Sequence, residues 1–333
     1  MFPASSDIRA DAIMDWLNEE LRFEINSFEP ASSDASFRRY FRVKHAGGQH
    51  IVMDAPPDKE NTEPFIRIAG LLKKMNIHVP AIYQQNLAEG FLLLEDLGSR
   101  SFLDQLTLES ADILYQSAFD SLFKLQTQSD LAYAQLPEYS ADLLQRELEI
   151  FQQWFLGELL AIALPAPLKN SLTTTLIDSA QAQPRVCVHR DFHSRNLMVL
   201  KRHSPGVIDF QDAVIGPITY DLVSLLRDCY ISWPPEQVEQ WMQRYYRRLD
   251  DAELIDADLD TFRRWFDLMG LQRHLKAVGI FARLNLRDDK STYLADIPRT
   301  MSYIVQISRI YPELADFYQF LQDRVLPIYP DRL

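Results

Sequence analysis

Glycine is scarce in this chain, and several glycine-dependent motifs are missing from it. The 333 residues include 10 glycines, about half the share found in an average protein. No Gly-x-Gly-x-x-Gly, Gly-x-x-x-x-Gly-Lys-Ser/Thr or Gly-x-Ser-x-Gly segment occurs, and neither does His-Glu-x-x-His or Cys-x-x-Cys. These absences argue against a Rossmann dehydrogenase, a P-loop nucleotidase, an α/β-hydrolase and a zinc protease.

Cysteine is rare as well, and long apolar runs are absent. Cys187 and Cys229 are too few for a disulfide framework or a four-thiolate zinc site, which favours a reducing compartment. The most apolar stretch, residues 159–168, is interrupted by two prolines and is shorter than the roughly 20 residues that span a bilayer. The first residues lack the basic-then-apolar pattern of a secretory signal. We therefore expect a cytoplasmic protein without a membrane segment.

Positive charge is in deficit. The chain has 34 Lys and Arg against 47 Asp and Glu, which gives a formal net charge of −13. A general nucleic-acid binder needs a basic face, and so does a protein that docks on an anionic membrane. The charge balance thus argues against both partners and favours a small-molecule ligand. The composition does not fix an oligomeric state, and we take a monomer as the expectation.

The hydrophobic pattern changes once along the chain. Residues 1–97 contain a predicted helix over residues 6–22, aromatic-rich segments joined by tight turns, and an amphipathic helix over residues 63–75. Helical periodicity dominates residues 102–180 and the chain after Thr219. The pattern predicts an α+β protein with a small antiparallel-sheet lobe at 1–97 and a large, mainly helical lobe at 98–333.

One polar loop between apolar segments carries the groups that phosphoryl transfer requires. Residues 186–200 include Asp191 and Asn196, and a second carboxylate, Asp209, follows the next apolar strand. In phosphoryl transfer one carboxylate accepts the proton of the attacking hydroxyl. Another carboxylate and an amide oxygen hold Mg²⁺ on the phosphates. The set predicts an enzyme that uses ATP and Mg²⁺.

The spacing of these residues resembles a kinase pattern. His189-x-Asp191-x-x-x-x-Asn196, followed by Asp209 and a phenylalanine, is similar to His-Arg-Asp-x-x-x-x-Asn and Asp-Phe-Gly. The alternative is that His189, Asp191 and His193 bind the metal of a hydrolase. The lack of a further histidine cluster favours the kinase, in which His189 braces the loop.

The surroundings of this loop extend the likeness to the aminoglycoside phosphotransferase-like kinases, a family that includes choline and homoserine kinases. The family's Ile-Asp-Phe/Trp-x-Asp-Ala segment resembles residues 208–213, and its Gly-Pro-x-x-x-Asp-Leu segment resembles residues 216–222. Within the family, the chain looks like the anomeric N-acetylmuramate/N-acetylglucosamine kinases of peptidoglycan recycling. The segments that carry this narrower resemblance are residues 33–40, 53–57, 93–98, 271–276 and 293–299.

The resemblance implies a two-lobed protein-kinase-like fold and ATP-dependent phosphorylation of the anomeric hydroxyl of an amino sugar. It implies that Asp191 is the base and that Asn196 and Asp209 hold Mg²⁺. Backbone amides of residues 32–37 would cover the phosphates, and adenine would lie against residues 94–97. The residues expected to support the site structurally are His189, Asp212 and Asp221. The residues expected to contact the nucleotide are Ser33, Ser36, Phe37, Arg39, Glu95 and Leu97.

The sequence departs from the kinase pattern at one strand. A kinase strand presents a lysine to the phosphates, paired with a helix glutamate, but residues 51–54 are Ile-Val-Met-Asp. Arg39 is our candidate for the replacement cation, because it shares one strand face with Phe41 and Val43. The alternative, which has at least equal weight, is that Arg39 is an ordinary strand arginine facing solvent. Without the lysine, the role of Glu63 on the predicted helix stays open.

The acceptor is less well specified than the reaction. The lactyl carboxylate of N-acetylmuramate requires a local cation, for which Arg195, Arg273, His274 and Arg283 are candidates. The acidic net charge favours a polycationic aminoglycoside instead, and another small alcohol such as choline is a further possibility. A non-catalytic nucleotide-binding protein is the alternative of another class, since the strand lysine is missing.

Overall fold

The computed structural model describes residues 7–33 and 37–333, with the backbone alone for residues 32 and 33. These residues form two compact units. The first contains residues up to Arg100 and the segment Met198–Gln211, and the second contains Ser101–Leu197 and Asp212–Leu333. A small antiparallel sheet and a mostly helical remainder confirm the predicted α+β class. The lobe boundary at residue 97 stays a prediction.

A five-stranded antiparallel sheet forms most of the first unit. Its spatial order is β1-β2-β3-β5-β4. The strands are β1 Ile25–Ser33, β2 Arg39–His45, β3 Gly48–Asp54, β4 Ile82–Asn86 and β5 Phe91–Glu95. Gly48 has a φ of 134°, which the tight turn between β2 and β3 requires and which side chains with a Cβ rarely adopt.

The sequence pattern does not predict β1. This strand contains Pro30 and few β-branched residues, and proline cannot donate a hydrogen bond within a sheet. β1 lies at the edge of the sheet, where it has a single neighbour, and its pairing with β2 is irregular near Pro30. An edge position tolerates the missing donor, so tertiary pairing overrides weak local propensity.

Two helices complete the first unit. Helix α1, Ile8–Asp15, continues as a π-helical turn over Trp16–Glu20, and helix α2 spans Glu63–Lys74. The side chain of Asp7 accepts a hydrogen bond from the Ala10 amide and caps α1. A core of apolar side chains joins α1 and its π-helical turn to the sheet. Its members are Ile13, Trp16, Leu17, Phe41, Val43, Val52, Phe91 and Leu93.

The second unit is mainly helical. Its helices are α3 Phe102–Gln105, α4 Ala111–Thr127, α5 Ala141–Ile150, α6 Ala166–Gln181, α7 Tyr220–Leu226, α8 Pro235–Asp251, α9 Leu259–Asp288, α10 Ile297–Ile310 and α11 Ala315–Phe320. π-helical turns extend α5 through Leu159 and α11 through Val325. The remaining strands of the chain are β6 Arg185–Val188, β7 Leu197–Met198, β8 Gly206–Val207 and β9 Val214–Pro217. β6 pairs antiparallel with β9.

Helix α9 is the central element of the second unit. Its 30 residues begin at an N-cap in which Asp258 accepts from the Thr261 amide at 2.8 Å. It packs against α6, α7 and α10 and buries polar as well as apolar side chains. Within residues 7–33 and 37–333, no helix combines the length and the apolar character that crossing a bilayer requires.

A buried carboxylate links α1 to the sheet. The side chain of Asp54 is fully buried. Its Oδ1 accepts from Arg9 Nε at 2.7 Å, and its Oδ2 accepts from Arg39 Nη2 at 2.6 Å. Arg39 also donates to Asp7, the cap of α1. The end of β3 and the start of α1 are thus held by one network of two arginines and two aspartates.

We expect Asp54→Ala to lower the free energy of unfolding by about 2 kcal/mol, because two arginines lose their buried partner. Urea denaturation checks this value. Glu63→Ala is the matched control: its side chain is 63% exposed and pairs with Arg67 one helical turn away, so the change is expected to stay below about 0.5 kcal/mol. Equal effects of the two substitutions would contradict the role assigned to Asp54.

Candidate active site

The catalytic loop, which we define as residues 189–196, runs between β6 and β7. Its start is anchored by Asp221 in the first turn of α7. The amides of His189 and Arg190 donate to Asp221 Oδ2 at 2.6 Å and Oδ1 at 2.9 Å. Arg190 has a φ of 78°, an uncommon conformation outside glycine. The two hydrogen bonds to a buried carboxylate stabilise this turn in front of Asp191.

Asp191 and Asn196 lie together within this loop. The Asp191 amide donates to His189 Nδ1 at 3.2 Å, and Asn196 Nδ2 donates to the Asp191 carbonyl at 3.0 Å. The carboxylate of Asp191 makes no hydrogen bond to the residues that the structure describes, so it is open to a donor from a ligand. His189 is buried and braces the turn through its ring nitrogen.

The far end of the loop is anchored by Asp228, which the sequence analysis missed. Asp228 is buried and accepts from the Ser194 amide at 2.9 Å and from the Tyr230 amide at 2.8 Å. The ring of Tyr230 lies edge-on to His193 with 5.3 Å between centroids. No local motif marks Asp228, because its partner is a backbone amide that is distant in sequence.

Positive charge surrounds Asp191. Burial raises the pKa of the Asp191 carboxyl, but nearby cations, Lys276 above all, outweigh it and hold the pKa below its usual value. Burial raises the pKa of Asp221 to about 7, against the opposing effect of its two backbone donors. Burial also lowers the pKa of His193, so this ring is neutral at pH 7. An ionised Asp191 is the form that accepts a proton.

A second buried carboxylate, Glu147 on α5, organises the cations near the loop. Its Oε1 lies 2.7 Å from Lys276 Nζ and 2.5 Å from Arg190 Nη2. Its Oε2 accepts from the Tyr139 hydroxyl and from Gln272 Nε2. Burial opposes ionisation of Glu147, but Lys276 and Arg190 dominate and lower its pKa to about 2. The sequence analysis did not single out this cluster.

Asp209 belongs to the first unit and follows β8. It has a φ of 64°, and its Oδ1 accepts from Gln211 Nε2 at 2.8 Å. The next residue, Phe210, is buried and packs on Phe65 of α2 with 4.8 Å between ring centroids. The strained backbone and the buried neighbouring ring fix the position of the carboxylate relative to α2.

The donor atoms suit a hard cation. An amide oxygen at Asn196 and a carboxylate at Asp209 are oxygen ligands of the kind that Mg²⁺ takes together with substrate phosphates. Asn196 belongs to the second unit and Asp209 to the first, so a metal site that they share stays a prediction. Among residues 7–33 and 37–333 there is no cluster of three or more His, Cys, Asp or Glu side chains that could hold a metal. The hydrolase alternative with His189 and His193 as ligands therefore finds no support.

The expected phosphate-covering segment is only partly described. Ser36 lies outside the described residues, and Ser33 ends β1 with its backbone alone described. Phe37 is exposed, and its amide donates to Glu60 Oε1 at 3.1 Å. Lys59 lies over the Phe37 ring at 4.9 Å. Residues 59 and 60, which follow β3, therefore contact Phe37, the last residue of the segment expected to cover the phosphates.

The two residues expected near adenine lie at the end of β5. Glu95 accepts from His78 Nε2 at 3.1 Å and from the Ala81 amide at 3.2 Å. Leu97 is buried. Both residues belong to the first unit.

The side chain of Arg39 is 38% exposed and forms ion pairs. Two acidic side chains, Asp7 and Asp54, take up its guanidinium, and these contacts raise its pKa. The charge of Arg39 is thus compensated within the protein, and the structure does not decide between a phosphate-facing and a solvent-facing arginine. Its role towards phosphates stays a prediction.

The substrate candidates differ in their surroundings. Arg195 is 42% exposed, stacks over Tyr230 at 3.6 Å and lies 3.8 Å from Asp296. His274 is buried, and its Nε2 donates to the Arg227 carbonyl at 2.8 Å. Burial lowers the pKa of His274 to about 3, so it carries no charge for an anion.

Two other expected residues are Asp212 and Arg273. The side chain of Asp212 is exposed, and its carbonyl accepts from Arg190 Nη1 at 3.4 Å. The structural support expected of Asp212 thus involves its backbone. Arg273 is buried and lies within electrostatic range of Asp191.

The sequence profile of the phosphotransferase enzyme family (APH) matches residues 27–256. The chain belongs to this family. It is 44% identical over 331 residues to the N-acetylmuramate/N-acetylglucosamine kinase of Pseudomonas putida, covering 95% of this chain and 97% of the relative. It is 42% identical over 304 residues to the enzyme of the same name from Neisseria meningitidis, covering 89% and 90%.

Solved structures of the family share the fold. The ADP-bound aminoglycoside phosphotransferase APH(2'')-Ib has a TM-score of 0.57 at 16% identity, covering 89% of this chain and 98% of its own. The choline kinase LicA from Streptococcus pneumoniae has a TM-score of 0.62 at 14% identity, covering 89% and 99%. These similarities confirm the protein-kinase-like fold predicted from the sequence.

We expect Glu147→Gln to lower the free energy of unfolding by about 3 kcal/mol, because Lys276 and Arg190 lose a buried anionic partner. Glu158→Gln, an exposed position at the end of the same helical segment, is the control and is expected to change it by less than about 0.5 kcal/mol. Chemical denaturation at pH 7 measures both. A loss at Glu147 no larger than at Glu158 would contradict the buried ion cluster.

The same variant has a pH signature. The folded-state pKa of Glu147 lies near 2, below its value in the unfolded chain. The stabilisation is therefore present at neutral pH and is lost as the pH falls from about 5 towards 2. Between pH 6 and pH 3.5 the wild type is expected to lose about 1 kcal/mol more than Glu147→Gln. If the free energy of unfolding changes equally with pH in the wild type and in Glu147→Gln, the ion pairs do not hold Glu147 in its ionised form.

Proposed function

We propose that this protein transfers the γ-phosphoryl group of ATP to the anomeric hydroxyl of N-acetylmuramate and N-acetylglucosamine. Family membership makes it a phosphotransferase, and the names of relatives at 42–44% identity support the sugar acceptors. The observation that carries the proposal is the catalytic loop. It holds an Asp191 carboxylate open to a ligand beside Asn196, which is fixed to the Asp191 carbonyl.

In this reaction Asp191 accepts the proton of the anomeric hydroxyl. The oxygen of that hydroxyl forms a bond to the γ-phosphorus, the bond to the bridging oxygen of ADP breaks, and ADP leaves. Lys276 favours the ionised state of Asp191. Asp221 and Asp228 keep the loop in place by accepting its backbone amides.

Asn196 and Asp209 are the proposed ligands of Mg²⁺. A magnesium ion there supplies positive charge to the phosphate oxygens during transfer. We propose that backbone amides of residues 32–37, including Ser33, Ser36 and Phe37, cover the phosphates, and that adenine binds beside Glu95 and Leu97. Because two carboxylates compensate Arg39, less of its charge is available to a phosphate than the sequence suggests.

The proposed product is a sugar 1-phosphate from a cell-wall amino sugar. Such a product is consumed by a reaction that attaches a nucleotide to the sugar phosphate. A role in peptidoglycan recycling, in the cytoplasm where ATP is supplied, follows from these substrates. The alternative acceptors are aminoglycosides and choline, the compounds that appear in the names of the solved structures with a similar fold.

We expect Asp191→Asn to lower kcat by at least ~100-fold, because an amide cannot accept the proton of the hydroxyl. The affinity for ATP is expected to change little. Coupled ADP-release assays and nucleotide titration measure the two quantities. Asp178→Asn, an exposed position on α6, is the control. Near-wild-type kcat in Asp191→Asn would remove this residue from the base role.

The acceptor proposal predicts that N-acetylglucosamine stimulates ADP release and that its methyl glycoside, blocked at the anomeric oxygen, does not. Phosphorus NMR of the product identifies the position of the phosphate. Activity on aminoglycosides or choline, without activity on reducing N-acetyl sugars, would overturn the choice of acceptor. ATP binding without turnover of any of these acceptors would support the non-catalytic alternative.

A further inference from the structure

Arg273 on α9 is an unusual cation. It is 9% exposed, and no other lysine or arginine among residues 7–33 and 37–333 is as deeply buried. An arginine retains its charge at any physiological pH, and burying a charge without a partner is costly. A cation in such a place therefore requires a compensating anion.

Arg273 has no ion pair within the part of the chain that the structure describes. Among the described residues no Asp or Glu oxygen lies within 4.0 Å of its guanidinium, and its Nε has no hydrogen-bond acceptor. Its guanidinium lies over the ring of Tyr220 with 5.1 Å to the centroid. The neighbouring cations differ in this respect, because Lys276 and Arg190 both reach Glu147.

Arg273 is also close to the proposed chemistry. It lies over the ring of Tyr220, and the adjoining Asp221 holds the amides of His189 and Arg190 at the start of the catalytic loop. Arg273 and Asp191 both belong to the second unit. An anion that pairs with Arg273 would thus be part of a ligand that sits beside Asp191.

We propose that Arg273 binds the lactyl carboxylate of N-acetylmuramate and so sets the preference between the two sugars. This inference rests on the proposed function. A guanidinium matches a carboxylate through two parallel hydrogen bonds. The other sequence candidates are less suitable, because His274 is neutral and Arg195 is stacked on Tyr230 near Asp296.

The chemistry of the acceptors supplies the test. N-acetylglucosamine lacks the carboxylate, so it is an internal control for folding and catalysis. We expect Arg273→Gln to lower kcat/KM and calorimetric affinity for N-acetylmuramate by roughly 10- to 100-fold, with less than about 3-fold change for N-acetylglucosamine. Arg273→Lys, which keeps charge without the planar fork, is expected to fall between. Arg247→Gln, an exposed position on α8, is the matched control.

The amide of N-acetylmuramate lacks the charge of the lactyl carboxylate. Comparing acid and amide in wild type and in Arg273→Gln gives a double-mutant cycle. Wild type is expected to lose affinity for the amide relative to the acid, whereas Arg273→Gln is expected to bind the two alike. Equal losses for both sugars in Arg273→Gln would overturn the inference and point to contact with the transferred phosphoryl group. An unchanged ratio, or no binding of N-acetylmuramate to wild type, would overturn it as well. Turnover of N-acetylglucosamine by wild type tests the proposed function separately.

Discussion

The carboxylate of Asp221 is the contact on which the site depends. It accepts the amides of His189 and Arg190, two donors that a turn with positive φ would otherwise leave buried and unsatisfied. Asp228 performs the same task at Ser194. With both ends of the loop held by buried acids, the short chain between them keeps Asp191 and Asn196 in one arrangement. The backbone of Asp191 is held within the loop, while its carboxylate accepts no hydrogen bond from the described residues and is available to a ligand.

The charge of the whole chain says little about this site. The net charge of the chain is −13, but Lys276, Arg190 and Arg273 lie near the catalytic loop. Local contacts, and not the net charge, decide which charged side chains lie at the site. Glu147 compensates two of the three cations. The third, Arg273, forms no ion pair with the described residues, so the field at Asp191 is positive although the chain is acidic overall. An anionic acceptor is compatible with that local field.

The first unit shows how this family member differs from the kinase pattern. The strand that presents a lysine in kinases ends here in Asp54, which is buried beneath two arginines. The acid fixes α1 to the sheet, so it has a structural task that excludes a phosphate contact. Positive charge for phosphoryl transfer therefore has to come from groups other than this strand.

By itself the sequence determined the features that depend on short-range geometry: the hairpin around Gly48, helix α2, the catalytic loop, and the family to which these motifs belong. Spacing within eight residues constrains a loop because the backbone between His189 and Asn196 has few conformations. Tertiary structure alone decided the pairing of β1, the anchor at Asp228 and the Glu147 cluster, whose partners lie far apart in the chain. It also separated Arg273 from His274. These neighbours look equally suited to an anion in the sequence. Packing around α9 leaves Arg273 charged, with no ion pair among the described residues, and makes His274 a neutral donor to a carbonyl.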